Sequence, residues 1–565
     1  MALASALSGP LLTWFKLVND TVTEPYLDEV FHVRQAQQYC QHRFDVWDPK
    51  ITTPPGIYLL SYILSPAAGC NLIGLRSLSL FCLCTLQVVM TWTYATRRTS
   101  DRNVWQLQHS ALNIALFPPL FFFSALYYTD VASTLSVLLF HWVFLQLNRS
   151  ATPTWLRVPF LVLLGANSLL LRQTNIFWVS VFPAAVVLVN ELDRGHRVVK
   201  DSMHRRVEGF GDGILSVAKT SWKMDVVFDP PVRAVWLEDY AKTVASIVAC
   251  SLKVLAQPKR ISGLLVALAP YITLLGLFGA FVMWNGGVVL GDKGNHVATL
   301  HLPQMLYIWP YFVFFSWSLV YQYLATLALG SLAKAQDVAS LDTMLVFKRQ
   351  GLLPRFRTLG LFTAIALMVV HFNTIVHPFT LADNRHYTFY VFRLLMRPWW
   401  VKYAVTPVYV VCGWACIQAL GATSSSVTSA TDSATSKTTT PEPEDAETQP
   451  ASPVSLPDGT HSATISFVLI WLATTTLQLI TAPLVEPRYF ILPWIFWRMH
   501  LPLQSNAPAN SRNEQSLRSR VLAVDHRLWI ESAWLLLINA ATGYIFLNWE
   551  FSWLQEPGNV QRFMW

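Results

Sequence analysis

"LIGLRSLSLFCLCTLQVVMTWTYA", residues 72–95, is followed at once by "TRRTSDR", residues 96–102. The first stretch is apolar over the length of one bilayer crossing, about 20 residues at about 1.5 Å each. The second is short and basic, as a loop held on the cytosolic side of a membrane should be. The same alternation recurs from end to end. Apolar segments fall at approximately 2–18, 109–127, 131–148, 156–171, 175–190, 262–283, 305–330, 358–376, 400–420, 463–482, 488–503 and 528–547. With 72–95 they make about thirteen spans, in a range of about 12–14. The first is short and broken by Pro10, and is read as a retained anchor. The expected fold class is an all-α polytopic membrane protein, with residues 1–565 as one integral membrane domain.

Composition agrees. Hydrophobic residues make up 53% of the 565 and charged residues 13%, against roughly 25% charged in a soluble domain. That balance excludes a disordered chain, and 33 Phe with 23 Trp exclude an ordinary soluble enzyme. The formal net charge is +8, but the basic residues fill loops and form no single nucleic-acid-binding face. Arg97, Arg98 and Arg102 occupy one loop, and Arg149 and Arg157 flank the next. Segment 191–260 carries Arg194, Arg197 and Lys200; Lys334, Lys348 and Arg349 fill another loop, and Arg512, Arg518, Arg520 and Arg527 the last. Counting spans puts all of these on one side, which the positive-inside rule makes cytosolic. Segment 423–462 falls on that side too, with "TSKTTTPEPEDAETQP" at its centre. It is too poor in apolar residues to fold and reads as a disordered loop. Seven Cys show no repeated CxxC or Cys/His spacing, so neither a disulfide framework nor a zinc site is expected. Cys82, Cys84, Cys412 and Cys416 read as small core residues.

The opposite side collects six polar clusters. The first lies in loop 19–71: "TEPYLDEVFHVRQAQQYCQHRFDVWDPKITTPPG", residues 23–56, with Asp28 beside Glu29 and His32 one helical turn on. Ile57 to Ala68 reads as a helix lying at the membrane interface. The others are Tyr127 to Asp130; Arg172 to Asn175; residues 285–303 with Asp292, Lys293, His296 and His301; residues 377–390 with Asp383, Arg385 and His386; and Glu486 to Phe490 with Arg488. Taken singly, each reads as a solvated or snorkelling membrane end, and Glu486 with Arg488 as a structural bridge. Together they point to one polar cavity, because polar groups at membrane depth are costly unless they line one. A transporter would place its ionisable groups near mid-membrane and show a repeat; neither is visible. An enzyme acting on a lipid-carried substrate needs a carboxylate base in a loop and cations for a phosphate. Asp28 or Glu29 supplies the first, and Arg172, Lys293, Arg385 and Arg488 the second.

Seven stretches then carry a resemblance: "EPYLDEVFHVRQAQQYC", "WDPKITTPPGIYLLS", "RQTNIFW", "NGGVVLGDKGNH", "HPFTLADNRHYTFYVF", "EPRYFILP" and the terminal "QRFMW". In these the chain resembles the dolichyl-phosphate-glucose alpha-1,2-glucosyltransferase family, from about residue 24 to the end. The resemblance implies a glycosyltransferase-C bundle in the endoplasmic reticulum membrane with a luminal, metal-independent site and no cofactor. It implies a hexosyltransferase of the EC 2.4.1 class that adds the third glucose to the lipid-linked oligosaccharide used for N-glycosylation. The donor would be dolichyl phosphate beta-glucose and the acceptor the dolichyl-diphosphate-linked, diglucosylated nine-mannose oligosaccharide. The bilayer is the remaining partner; no nucleic acid or obligate protein partner is implied. Other lipid-linked sugars are the alternative substrates. By the same resemblance Asp28 is favoured over Glu29 as base, and Arg385 heads the candidates for the donor phosphate, before Arg172, Arg488 and Lys293. His32, Asp130, Asn175, Asp292, His296, Asp383, His386 and Glu486 would line the cavity. Trp47 and Tyr26 are candidates for stacking on acceptor sugars or for packing, and Asn19-Asp20-Thr21 is a sequon.

Overall fold

The computed structural model describes residues 2–97, 104–150, 152–193, 213–232, 235–294, 297–330, 356–421, 463–482, 484–503, 525–553 and 556–565. Segment 423–462, His296, the middle of segment 191–260 and the loop residues Arg98, Arg102, Lys334, Lys348, Arg349, Arg512, Arg518 and Arg520 lie outside the described residues.

The helices in chain order are α1 (Ala2–Thr21), α2 (Glu29–Cys40), α3 (Gly56–Ala68), α4 (Leu72–Arg97), α5 (Val104–Ala115), α6 (Pro118–Phe123), α7 (Thr129–Arg149), α8 (Thr154–Leu171) and α9 (Phe182–Leu192). Then come α10 (Ile214–Met224), α11 (Leu237–Leu255), α12 (Pro258–Asn285), α13 (Gln304–Gly330), α14 (Phe356–Asn373), α15 (Pro378–Ala382) and α16 (Tyr387–Met396). Last are α17 (Val401–Ala404), α18 (Thr406–Leu420), α19 (Ile465–Leu479), α20 (Ile491–Met499) and α21 (His526–Asn548), and a hairpin of β1 (Glu550–Trp553) and β2 (Glu556–Arg562). Among the described residues, eight helical stretches are long and apolar enough to cross a membrane: 72–97, 129–149, 154–171, 173–192, 258–285, 356–373, 401–420 and 526–548. The chain is a multi-pass all-α membrane protein.

Local chemistry sets these boundaries. Asn71 accepts the Gly74 N–H at 2.8 Å and starts α4, the bond an N-cap side chain makes. Pro258 opens α12, and Gly286, at φ 67°, closes it, the asymmetry expected of helix ends. Five of the thirteen expected spans fall outside these eight: 2–18, 109–127, 305–330, 463–482 and 488–503. In two of them the local cause is plain. Segment 109–127 is broken after Ala115, because Pro118 and Pro119 cannot donate to the preceding turn. Segment 488–503 yields only α20, nine residues that are all buried. Trp494 of α20 stacks on Phe117 with centroids 3.9 Å apart and planes 7° apart. Its run of apolar residues therefore marks a core helix, which composition cannot distinguish from a span.

α4 packs on α5 and α7, and α7 on α8, while α13 packs on α18 and α21. Arg97, Arg149 and Asp193 stand at one end of this bundle, and α2, α3 and the loop segments 23–56 and 285–294 cap the other. The capping region is stitched to itself. Cys40 and Cys70 form a disulfide with Cα atoms 6.5 Å apart, which corrects the expectation of no disulfide. Their separation of 30 positions carries no spacing signature; only folding α2 against α3 brings the two cysteines together. Leu290 donates to Thr52 O at 3.2 Å and Asp292 to Pro49 O at 3.1 Å. A Cβ on Gly291 would come within 2.1 Å of Pro49 O, so that approach requires glycine.

Candidate active site

Asp28 and Glu29 are neighbours with opposite surroundings. Glu29 is fully buried. Arg76, from the first turn of α4, grips it through Nε to Oε1 at 2.8 Å and Nη2 to Oε2 at 2.7 Å. Its oxygens also accept the Tyr127 N–H at 2.7 Å and the Tyr26 N–H at 3.1 Å. Arg76 further donates to Val22 O and Asn19 Oδ1. Both Glu29 oxygens are thus occupied, as a buried carboxylate requires.

Asp28 sits at the N-cap of α2 but makes no capping bond with its side chain. That side chain is 55% exposed, with Oδ2 3.7 Å from Nη1 of Arg488. Leu27 before it holds φ at 52°, a left-handed conformation that costs a side-chain-bearing residue about 1–2 kcal/mol. The kink lets Glu29 turn into the protein while Asp28 faces out.

Three further segments converge on Asp28. α7 begins with Asp130, whose carboxylate is fully buried and accepts Nη1 of Arg172 at 2.8 Å. Its other oxygen carries no hydrogen bond and lies 3.7 Å from Arg488 Nη1. Arg488, in the 3-10 turn Pro487–Phe490 that leads into α20, also holds Glu486 at 2.8 Å and lies over the rings of Phe123 and Tyr128. One guanidinium therefore bridges three carboxylates. Arg172 follows α8; among the described residues it makes one ion pair, through Nη1, so Nε and Nη2 remain open. His32 of α2 places Nδ1 2.6 Å from the Tyr58 hydroxyl. Burial lowers the pKa of its imidazole, outweighing the nearby Asp28 and Asp130 carboxylates.

The remaining candidates stand elsewhere. Arg385 is committed to Asp383, through Nε at 2.9 Å and Nη2 at 2.8 Å, and to Gln561 through Nη1 at 3.0 Å. Burial would raise the Asp383 carboxyl, but the Arg385 bonds prevail and hold it below the usual carboxylate range. His386 lies 3.2 Å from Trp565 O and 3.8 Å from Asp383. Lys293 is exposed and donates to Asn285 O. Among the described residues, the ion pairs of the Asp28 group include neither Lys293 nor Asp292. Asn175 does not line the group: it is fully buried and donates to Ser133 Oγ and Ser168 O, both at 2.9 Å, tying α7 to α8. The 3-10 turn Gln173–Asn175 sends Arg172 and Asn175 to different surroundings. Tyr26 is buried and bonded, and Trp47 packs against Tyr58 at 6.0 Å, so packing describes both. Asn19 donates its amide N–H to Phe15 O at 2.8 Å and accepts from Arg76 Nη1 through Oδ1 at 3.2 Å, which argues against a glycan there.

Beside the charged group runs an apolar groove of about 640 Å³, lined by Trp47, Leu169, Phe278, Phe281, Trp284 and Gln173, the neighbour of Arg172. A second cavity of about 440 Å³ lies at the far end, where Arg97 and Arg149 are matched by Asp193 and Asp229. It holds none of the candidate site residues.

The DIE2/ALG10 family model matches residues 22–499. A protein of Aspergillus fumigatus named Dol-P-Glc:Glc(2)Man(9)GlcNAc(2)-PP-Dol alpha-1,2-glucosyltransferase is 40% identical, across 98% of this chain and 96% of its own. The protein of that name from Emericella nidulans is 40% identical over the same shares, and that from Homo sapiens 29% over 98% and 95%. An Archaeoglobus fulgidus oligosaccharyltransferase structure is similar at 12% identity and a TM-score of 0.22 over 72% of this chain and 48% of its own, which carries no argument about the fold. With its own model matched along most of its length and relatives of one name spanning it end to end, the chain belongs to the DIE2/ALG10 family.

Proposed function

We infer that the chain is an alpha-1,2-glucosyltransferase that moves glucose from dolichyl phosphate glucose onto the diglucosylated, nine-mannose dolichyl-diphosphate oligosaccharide. It is an enzyme of the endoplasmic reticulum membrane. A beta donor and an alpha product mean inversion by one displacement. The attacking acceptor oxygen forms a bond to C1 of glucose, and the bond from C1 to the phosphate oxygen breaks. The acceptor proton passes to a carboxylate, and dolichyl phosphate leaves. None of these steps calls for a metal or a cofactor.

Asp28 is the base. The observation that carries this is the contrast between neighbours: Glu29 has both oxygens taken by Arg76 and backbone N–H groups, whereas Asp28 is 55% exposed and 3.7 Å from a guanidinium. General-base assistance of this kind contributes about 10²–10⁴-fold. Arg172 and Arg488 receive the phosphate. Arg172 has open N–H donors, and guanidiniums make paired, charge-assisted bonds to phosphate oxygens. As Asp28 takes up the proton its negative charge disappears, which leaves more of the Arg488 charge, still shared with Glu486 and Asp130, to balance the departing phosphate. The dolichyl chain lies in the apolar groove, whose wall at Gln173 is one residue from Arg172. Arg385 serves structure in this reading, because its three donor nitrogens are already bonded.

The site faces the lumen. The Cys40–Cys70 disulfide lies in the capping region with Asp28, and disulfides persist in oxidising compartments. Arg97 and Arg149 stand at the opposite, cytosolic end. The test uses purified protein, dolichyl phosphate glucose and acceptors bearing one, two or three glucoses. Only the two-glucose acceptor gains a sugar; transfer to the others refutes the assignment. In sealed microsomes, maleimide labelling after reduction reaches Cys40 and Cys70 only when the membrane is opened. Labelling without opening reverses the orientation.

A further inference from the structure

The carboxylates and guanidiniums leave the last five residues, "QRFMW", without a part in the chemistry. They are nonetheless bonded to the segments around it. After α21 the hairpin turns the chain back, and the Arg562 guanidinium donates to Phe546 O and Leu547 O at 2.9 Å, closing the C-terminal end of that helix. The backbone of Arg562 then meets the first loop. Its N–H donates to the Tyr26 hydroxyl at 2.8 Å, and that hydroxyl donates to Arg562 O at 2.6 Å. Burial pushes the Tyr26 hydroxyl up to about 12, so it remains a donor. Further on, Met564 donates to Arg385 O at 2.9 Å and accepts from Tyr387 N at 3.1 Å. Gln561 accepts from Arg385, and the Trp565 ring lies 5.1 Å from that of Tyr387.

We propose that Gln561–Trp565 is a positioning element of the active site, fixing the Tyr26–Asp28 segment against the loop at residues 383–387. The proposal rests on Asp28 as base. Asp28 has no capping bond of its own and follows a residue at φ 52°, so its direction is set by how the backbone is held on either side. Glu29 and Arg76 hold the following residue. Tyr26, two residues before, is held by the tail through its hydroxyl and by Glu29 through its N–H. Among the described residues, one buried atom, the Tyr26 oxygen, joins the first loop to the tail's backbone in this way. A displacement of about 1 Å at a reacting group costs up to about 100-fold in rate.

The test compares four full-length enzymes in lipid nanodiscs: Tyr26→Phe, deletion of residues 563–565, Asp28→Asn, and Val560→Thr as a control at an exposed strand position. Each is measured for kcat, for KM of donor and acceptor, and for the fraction eluting as a folded, disulfide-bonded species. Tyr26→Phe lowers kcat per folded molecule about tenfold, and the deletion more, with both KM values within about threefold; the control is unchanged. The proposal is overturned if Tyr26→Phe and the deletion keep kcat per folded molecule within twofold while Asp28→Asn is inactive. It is equally overturned if their losses only track the folded fraction. An active Asp28→Asn enzyme overturns the assignment of the base instead, so the two failures are distinguishable.

Discussion

Three arginines in this molecule meet carboxylates in ways that differ in one respect, and the difference separates structure from chemistry. Arg76 with Glu29, and Arg498 with Glu531, are wholly buried, two-pronged pairs with bonds of 2.6–2.8 Å. Arg488 meets Asp28 and Asp130 at 3.7 Å, and Asp28 is more than half exposed. The tight pairs have no freedom to change partner or charge. The loose one can lose its carboxylate charge to a proton and accept a phosphate in exchange. One pair of adjacent residues, Asp28 and Glu29, is divided between the two kinds.

The contrast is broken most directly at the base. Asp28→Asn lowers glucose transfer by about 10²–10⁴-fold, with the protein still monodisperse; transfer within threefold of wild type removes Asp28 from the chemistry. Next in size is the tight pair. Arg76→Met alone leaves a buried carboxylate without its cation and destabilises by about 3–5 kcal/mol. The double variant Arg76→Met with Glu29→Leu recovers most of that loss. Thermal unfolding in detergent measures both, and equal losses in single and double variants would mean that the pair is not the source. Arg172→Ala comes third. Removing a charge-assisted bond to phosphate raises the KM for dolichyl phosphate glucose about 10–100-fold and leaves the acceptor KM within about threefold. A larger effect on the acceptor reassigns Arg172. The smallest effect is at Asp383. Its carboxyl titrates below the usual carboxylate value of about 3.9 in the folded state, so the folded protein binds fewer protons than the unfolded one in that range. The stability it contributes is present above about pH 4 and is lost as the pH falls through the folded value. Asp383→Asn therefore flattens the fall in melting temperature below about pH 4; an unchanged slope shows that the Arg385 pair gives nothing there.

The sequence makes the membrane class legible because a bilayer imposes one length on every crossing. It also makes the site's ingredients legible: Asp28, Asp130, Arg172, Glu486 and Arg488 stand out as polar residues at membrane ends, and the structure gathers these five. What escapes are the pairings. Arg76 lies inside the first clear apolar stretch, and an arginine there costs about 2.5–3.5 kcal/mol on insertion unless matched. That cost announces a partner, but identifying it as Glu29, 47 residues away, needs the fold. Cys40 and Cys70 carry no spacing signal for the same reason. Arg385 has the chemistry of a phosphate ligand, and only its geometry shows the guanidinium already in use. Asn175 stands three residues from Arg172, yet a single 3-10 turn gives the two different neighbours.

The bond between Tyr26 and Arg562 spans 536 positions of the chain, and this fixes an order of events during synthesis. The loop that carries Asp28 is translated long before its tether. At roughly 5–20 residues per second, about half a minute to two minutes separate them. The early loop can close its disulfide during that wait, but Tyr26 has no Arg562 to meet until translation reaches that residue. A ribosome that stalls before Arg562 would release a protein with the first loop untethered.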